Sequence, residues 1–302
     1  MGYFFAHFTS RGYDDRESVW FSVSRDGLHW TDLGNGEPAL RSEIGTRGIR
    51  DPFPVYDPRL GKYFLLATDL NTKSGNWDDF SLRGSRSLLI WESDDLIRWS
   101  EPRLAELAPP DAGCAWAPEA VWCTERYCWL VFWASCVKEE GDPVPKQRIY
   151  AAFTRGFRSF EPTFQWIEGP HDIIDTDVVR DGEFYYRFSK DDREKTITVE
   201  RSRVLVPESG DGWERVPSSL LDHFDGLEGP AAYWLEDRGQ WCLLVDQYRK
   251  QTGYLPLVTD DLASGDFRVL DPAAYDLGAR LKRHGGVVRI PDEDYARIAP
   301  KG

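Results

Sequence analysis

The chain has 302 residues, of which 41% are hydrophobic and 29% charged, with a formal net charge of −14; these values are ordinary for a globular domain and exclude a disordered or fibrous chain. The acidic balance argues against nucleic acid and anionic membrane surfaces as partners, because both are held through clustered Lys and Arg. No apolar run reaches the roughly 18 residues that a membrane span requires, so a small neutral molecule is the partner that fits best.

In chain order, the segment from Met1 to Phe8 lacks a basic start and a long apolar stretch, and reads as a strand rather than a secretion signal. Tyr3 to Thr9 and Ser18 to Ser24 are two strands leading to Asp26-Gly27-Leu28-His29-Trp30. Asp51 to Tyr56 is a short extended run opened by proline, which suits a first or edge strand. The turn Asp57 to Gly61 follows, then strands over Lys62 to Thr68 and Ser87 to Glu92, then a polar turn to Trp99. Asn71 to Gly84 is the longest irregular insertion, and such loops are often functional.

The next three stretches repeat this plan. Glu119 to Trp122, Tyr127 to Ala134 and Arg148 to Thr154 lead to Phe157 and Phe160. Thr176 to Val179, Phe184 to Ser189 and Thr196 to Glu200 lead to Trp213. Ala231 to Leu235, Trp241 to Asp246 and Tyr254 to Thr259 lead to Phe267. Their β-branched and aromatic content, punctuated by Gly, Pro and Asp, is strand chemistry. No segment carries a sustained helical period.

A repeat of about sixty residues with four short strands per unit is the signature of a propeller blade. The chain ends complement one another: the N-terminal stretch lacks a first strand, and His284 to Ile290 supplies one. The expectation is a single all-β domain over residues 1–302, a five-bladed β-propeller whose ring is closed by the two termini sharing one blade. The cysteines, Cys114, Cys123, Cys128, Cys136 and Cys242, are odd in number and lack metal-site spacing. Reduced, buried thiols and a cytoplasmic location follow. Cys123 and Cys128 flank a hairpin turn and are the one pair that a disulfide could join.

Each unit also carries a short motif: Arg50-Asp51-Pro52, Ala117-Pro118-Glu119, Ile174-Asp175-Thr176, Glu228-Gly229-Pro230 and His284-Gly285-Gly286. If each opens the inner strand of a blade, Asp51, Glu119, Asp175, Glu228 and His284 share one place in the unit and converge on the axis. Hydrolysis of a glycosidic bond with inversion needs one carboxylic acid to protonate the leaving oxygen and one carboxylate to activate water. Those groups stand roughly 6.5–9.5 Å apart. Asp51 and Glu228 come from blades two steps apart, and a third carboxylate, Asp175, would keep Glu228 protonated.

The motif order resembles glycoside hydrolase family 43, five-bladed propellers that cleave arabinofuranosides, xylosides and related glycosides. The resemblance covers the whole chain. It implies Asp51 as general base, Asp175 as the pKa-modulating aspartate, Glu228 as general acid, Glu119 in a structural strand and His284 near a central ion, for which calcium is the candidate. No cofactor is required by this chemistry. Ile174-Asp175-Thr176 departs from the family's I-D-P, and Asp177, on the same face by alternation, competes with Asp175 as modulator. His284 is either an ion or water ligand or a packed core histidine.

Around these acids, Trp116 either stacks on a sugar ring at the funnel mouth or packs in the core. Asp69 and Trp77, from the insertion, are candidates to reach the pocket, and Arg187 to pair with one of the acids or touch substrate. The function expected is an inverting exo-glycosidase acting on a terminal arabinofuranosyl, xylosyl or galactofuranosyl residue of a small neutral glycoside or oligosaccharide. The alternatives are a retaining fructan or sucrose hydrolase, whose N-D-P-N-G-like and E-C motifs are absent from this sequence, and a non-catalytic sugar-binding propeller.

Overall fold

A computed structural model describes residues 1–9, 12–208 and 212–301. Among the described residues, twenty strands form five four-stranded antiparallel sheets. The first three, β1 (Gly2–Phe8), β2 (Trp20–Ser24) and β3 (Trp30–Asp32), belong to the blade completed by the last. The second blade holds β4 (Ile49–Asp57), β5 (Lys62–Asp69), β6 (Ser87–Ser93) and β7 (Arg103–Glu106), and the third β8 (Trp116–Cys123), β9 (Cys128–Val137), β10 (Lys146–Thr154) and β11 (Phe164–Ile167). The fourth is β12 (Ile173–Asp181), β13 (Phe184–Asp191), β14 (Thr196–Ser202) and β15 (Glu214–Arg215). The fifth is β16 (Glu228–Leu235), β17 (Gln240–Asp246), β18 (Tyr254–Thr259) and β19 (Arg268–Val269), and β20 (Arg283–Ile290) returns to the first blade.

The inner strands β4, β8, β12, β16 and β20 each touch the next around the ring. β20 pairs antiparallel with β1 from Gly2↔Ile290 to Phe8↔Arg283. The closure expected from the complementary termini is therefore present, and it leaves neither end as an open edge.

The blades are joined by a recurrent turn. The third strand of each sequence unit ends on a hydroxyl residue, Ser24, Ser93, Thr154, Ser202 or Thr259, whose oxygen accepts a backbone N–H two or three residues later. This local bond replaces the lost ladder bonds and drives a following apolar residue inward: Leu28, Leu96, Phe157, Leu205 and Leu262 are all buried. The sheets then pack through aromatic faces, as where Phe157 lies 4.5 Å from Phe64 between the second and third blades.

Two expectations need correction. The insertion over 71–84 is not irregular throughout: α1 (Trp77–Arg83) forms there, N-capped by the Asn76 side chain. A second helix, α2 (Asp292–Ile298), lies against β1 through Tyr295. Each has seven residues, two turns at most, too short to show a helical period in sequence. The cysteines are as expected: Cys123 and Cys128 face each other across their hairpin, and all five are buried free thiols.

Candidate active site

Every inner strand carries one extra residue at the same depth. The register breaks between Arg50 and Phe53, Trp116 and Glu119, Ile174 and Asp177, and Glu228 and Ala231. In β20 the corresponding break leaves His284 between Arg283 and Gly285. Asp51, Ala117, Asp175 and Gly229 adopt the left-handed conformation there, with φ of 48–53°. Such bulges re-aim side chains and cluster beside functional sites. The residues just before the bulge, Arg50, Trp116, Ile174, Glu228 and Arg283, all line one cavity at the axis, of about 520 Å³.

This register revises the motif alignment. Asp51, Asp175 and His284 are equivalent, as expected. Glu228 precedes that position by one residue and Glu119 follows it by two, in register with Asp177. Alternation therefore does not put Asp175 and Asp177 on one face: the bulge separates them. Asp175 lines the cavity, whereas Asp177 turns into the protein and accepts from Ala232 N at 2.6 Å. The site-facing aspartate of the pair is Asp175.

His284 stands among the acids, its Nδ1 3.5 Å from Asp51 Oδ1 and 3.8 Å from Asp175 Oδ2, its Nε2 3.9 Å from Glu119 Oε1. Gly229 permits this approach, since a Cβ there would fall 2.6 Å from the imidazole. Its N–H donates to Asp175 Oδ2 at 3.1 Å. Thr68 orients Asp51, donating to Oδ2 at 2.8 Å while accepting from Ala117 N at 2.7 Å. Tyr254 Oη accepts from Gly285 N at 2.8 Å and donates toward the Gly229 and Gly285 carbonyls, tying β16 to β20.

The acids differ in charge state. Burial pushes Asp175 up to about 6; His284 and Lys190 oppose this shift, and the Glu228 and Asp51 carboxylates add to it. Burial pushes Glu228 the same way, but Lys190 and Arg283 outweigh it and hold the carboxyl below the ordinary glutamate range. Lys190 Nζ donates to Glu228 Oε2 and Arg283 Nη2 to Oε1, each at 3.0 Å. The expectation that neighbouring acids keep Glu228 protonated is thus overturned for the free site, because two buried cations dominate its surroundings. Burial also raises Glu119 strongly, and its Oε2 finds no donor; it is satisfied when Glu119 keeps its proton and shares it with Asp177, itself raised by burial to about 6.

Trp77 and Trp116 both line the cavity, their rings 6.1 Å apart and edge to face. Asp69 does not line it. Its carboxylate accepts from Thr46 N and Oγ1, both at 2.8 Å, and pins the loop before β4. Arg187 is also elsewhere: its Nε donates to Glu200 at 2.7 Å and its guanidinium lies 4.3 Å over Trp213, between blades. Lys190, three residues on in β13, takes the place in the site that Arg187 was expected to fill. Lys190, Arg283 and Tyr248 are among the cavity residues that motif reading passed over. Lys190 is a buried lysine in β13, opposite Ile174 and next to the strand's last residue. Among the described residues, no group of three or more His, Cys, Asp or Glu stands in a geometry that could hold a metal ion.

Comparison with known proteins supplies the context. A family model of glycosyl hydrolase 43-related proteins, described as a probable glycosyl hydrolase domain, matches residues 1–296. An α-L-arabinofuranosidase of Bifidobacterium longum subsp. longum is 30% identical over 249 residues, which is 70% of this chain and 23% of that protein. The chain therefore spans under a quarter of that relative's length. Among solved structures, a thermostable family-43 glycoside hydrolase shares the fold at a TM-score of 0.53 and 13% identity, over 76% of this chain and 74% of the other. The α-L-arabinofuranosidase of Podospora anserina in complex with cellotriose does so at 0.53 and 14%, over 77% and 71%.

Proposed function

Because the chain belongs to the family of probable glycosyl hydrolase domains, we propose that it hydrolyses the glycosidic bond of a terminal arabinofuranosyl, xylosyl or galactofuranosyl residue, with inversion at the anomeric carbon. One observation carries the reading: Asp51, Asp175 and Glu228, from three blades, line a single cavity walled by two indole rings. A volume of about 520 Å³ falls within the roughly 300–1,000 Å³ usual for small-molecule sites.

In this reading Asp51 is the general base. Thr68 fixes one carboxylate oxygen and leaves the other to take a proton from the attacking water. Glu228, on the far side of β20, protonates the leaving oxygen, and Trp77 and Trp116 offer apolar faces to sugar C–H groups. Glu228 must acquire its proton once a sugar is bound, since Lys190 and Arg283 hold it ionised in the free site. A second reading has a specific observation in its favour: burial raises Asp175 to about 6, so it keeps its proton to a higher pH than an ordinary carboxyl, and would itself be the donor.

Hydrolysis of aryl and alkyl arabinofuranosides by Asp51→Asn, Glu228→Gln and Asp175→Asn tests both. Asp51→Asn should abolish turnover of both substrate types. The donor's variant should lose about 10²–10⁴-fold on the alkyl glycoside and far less on an activated aryl one. Retained hydrolysis in Asp51→Asn would remove it as base. A first-formed product of retained anomeric configuration, read by NMR, would refute inversion.

A further inference from the structure

The cavity's cations fall into two sets. On one wall Lys190 and Arg283 are matched, Lys190 by Glu228 and Asp192, Arg283 by Glu228 and Asp246. On the other wall Arg16 and Arg50 line the same cavity with no side-chain N–H donated to any acceptor at hydrogen-bond distance among the described residues. Arg50 lies 4.3 Å over the Phe8 ring and 5.7 Å from that of Trp77, which fixes its plane. Arg16 Nε is buried and has no partner among the described residues.

Both guanidiniums face one atom, Glu17 Oε1, at 3.9 Å each. That oxygen is already engaged by Thr72 N and Thr72 Oγ1. One carboxylate faces two guanidiniums, so this trio carries one formal positive charge; Asp51 and Asp78 line the same cavity but neither pairs with Arg16 or Arg50. Partly buried guanidiniums without acceptors are costly unless a ligand supplies them. A sugar hydroxyl would satisfy some N–H groups but not the charge. A planar carboxylate does both, because each guanidinium presents a fork matched to its two oxygens.

We propose that the Arg16–Arg50 wall binds the carboxylate of a uronate, so that the substrate is an acidic saccharide carrying a hexuronate beside the sugar to be cleaved. The position of that uronate relative to the cleaved bond rests on the glycosidase reading; the carboxylate site does not.

The test is calorimetric titration of the full chain with the methyl glycosides of glucuronate and galacturonate, and with their methyl esters, which keep shape and remove charge. At least one acid should bind about tenfold or more tightly than its ester, with a preference that weakens as salt is added. In Arg50→Gln and in Arg16→Gln this acid-to-ester ratio should fall about tenfold, and Arg50→Lys, which keeps charge without the fork, should be intermediate. Should Arg50→Gln fail to fold, judged by its melting temperature, Arg16→Gln decides alone. Equal affinity for acids and esters, or a ratio unchanged in the arginine variants, would overturn the proposal. These probes need not be cleaved. Uronate binding without turnover of any arabinofuranoside, xyloside or galactofuranoside would sink the hydrolase reading alone, and turnover without charge preference would sink this one alone.

Discussion

Asp177→Asn isolates the cost of an ionised carboxylate in the wall of the axis. Asp177 is buried, and burial moves its carboxyl from 3.8 up to about 6. A carboxyl raised on folding binds its proton more tightly in the folded state, so stability falls as pH rises from about 4 to 6, with the full cost above that. A shift of about two units corresponds to roughly 3 kcal/mol, an upper figure because Glu119 and Asp177 titrate as a pair. Asparagine keeps an oxygen for Ala232 N and carries no charge. The stability of Asp177→Asn relative to the parent should therefore improve between pH 4 and pH 7 by up to about 3 kcal/mol, whatever the offset at pH 4. Urea unfolding followed by tryptophan fluorescence at pH 4.5 and 7.5 measures this. A difference independent of pH, or one growing in the opposite direction, would refute the account of a strained, neutral-seeking acid pair.

Two further outcomes follow from the bulge and the closure. Gly229→Ala should lower stability by about 1–2 kcal/mol for the left-handed conformation alone, and should depress kcat more than that loss explains, because the new methyl displaces His284 from Asp51 and Asp175; unchanged kinetics would show that the imidazole's position is immaterial. Truncation before Arg283 removes β20, opening the first blade beside β1, and should give aggregated or unfolded protein, whereas removal of residues 300–302 should be tolerated; a soluble, cooperatively melting chain ending at Lys282 would contradict the closure.

The sequence made the ring legible because strand alternation and complementary ends are strong signals. Asp51, Asp175 and His284 were legible because each sits at the bulge of its own strand. The bulge itself had no marker: its residues are Asp, Ala, Asp, Gly and His, which share no chemistry, so Glu119 and Glu228 were put in the wrong register. Glu228 still reached the cavity because the position before each bulge also faces it. Arg187 misled because its neighbouring rings resemble a pocket wall, when they are the aromatic packing between blades. The cations that govern Glu228 come from Lys190, in a second strand, and from Arg283, which immediately precedes the quoted histidine motif. A motif names the acid but not the partners opposite it, and here those partners decide its charge.

The recurrent bulge has a consequence for how such a ring changes over time. It presents five interchangeable sockets at one depth, filled here by arginine, tryptophan, isoleucine, glutamate and arginine. Exchanging the isoleucine or the tryptophan would redraw what the funnel accepts and would touch only the core between the third and fourth blades, against which both pack, leaving the closing strand alone. Recognition can thus drift at those two blades while Asp51 and Asp175, one step deeper, and Glu228, in its own socket, stay where they are.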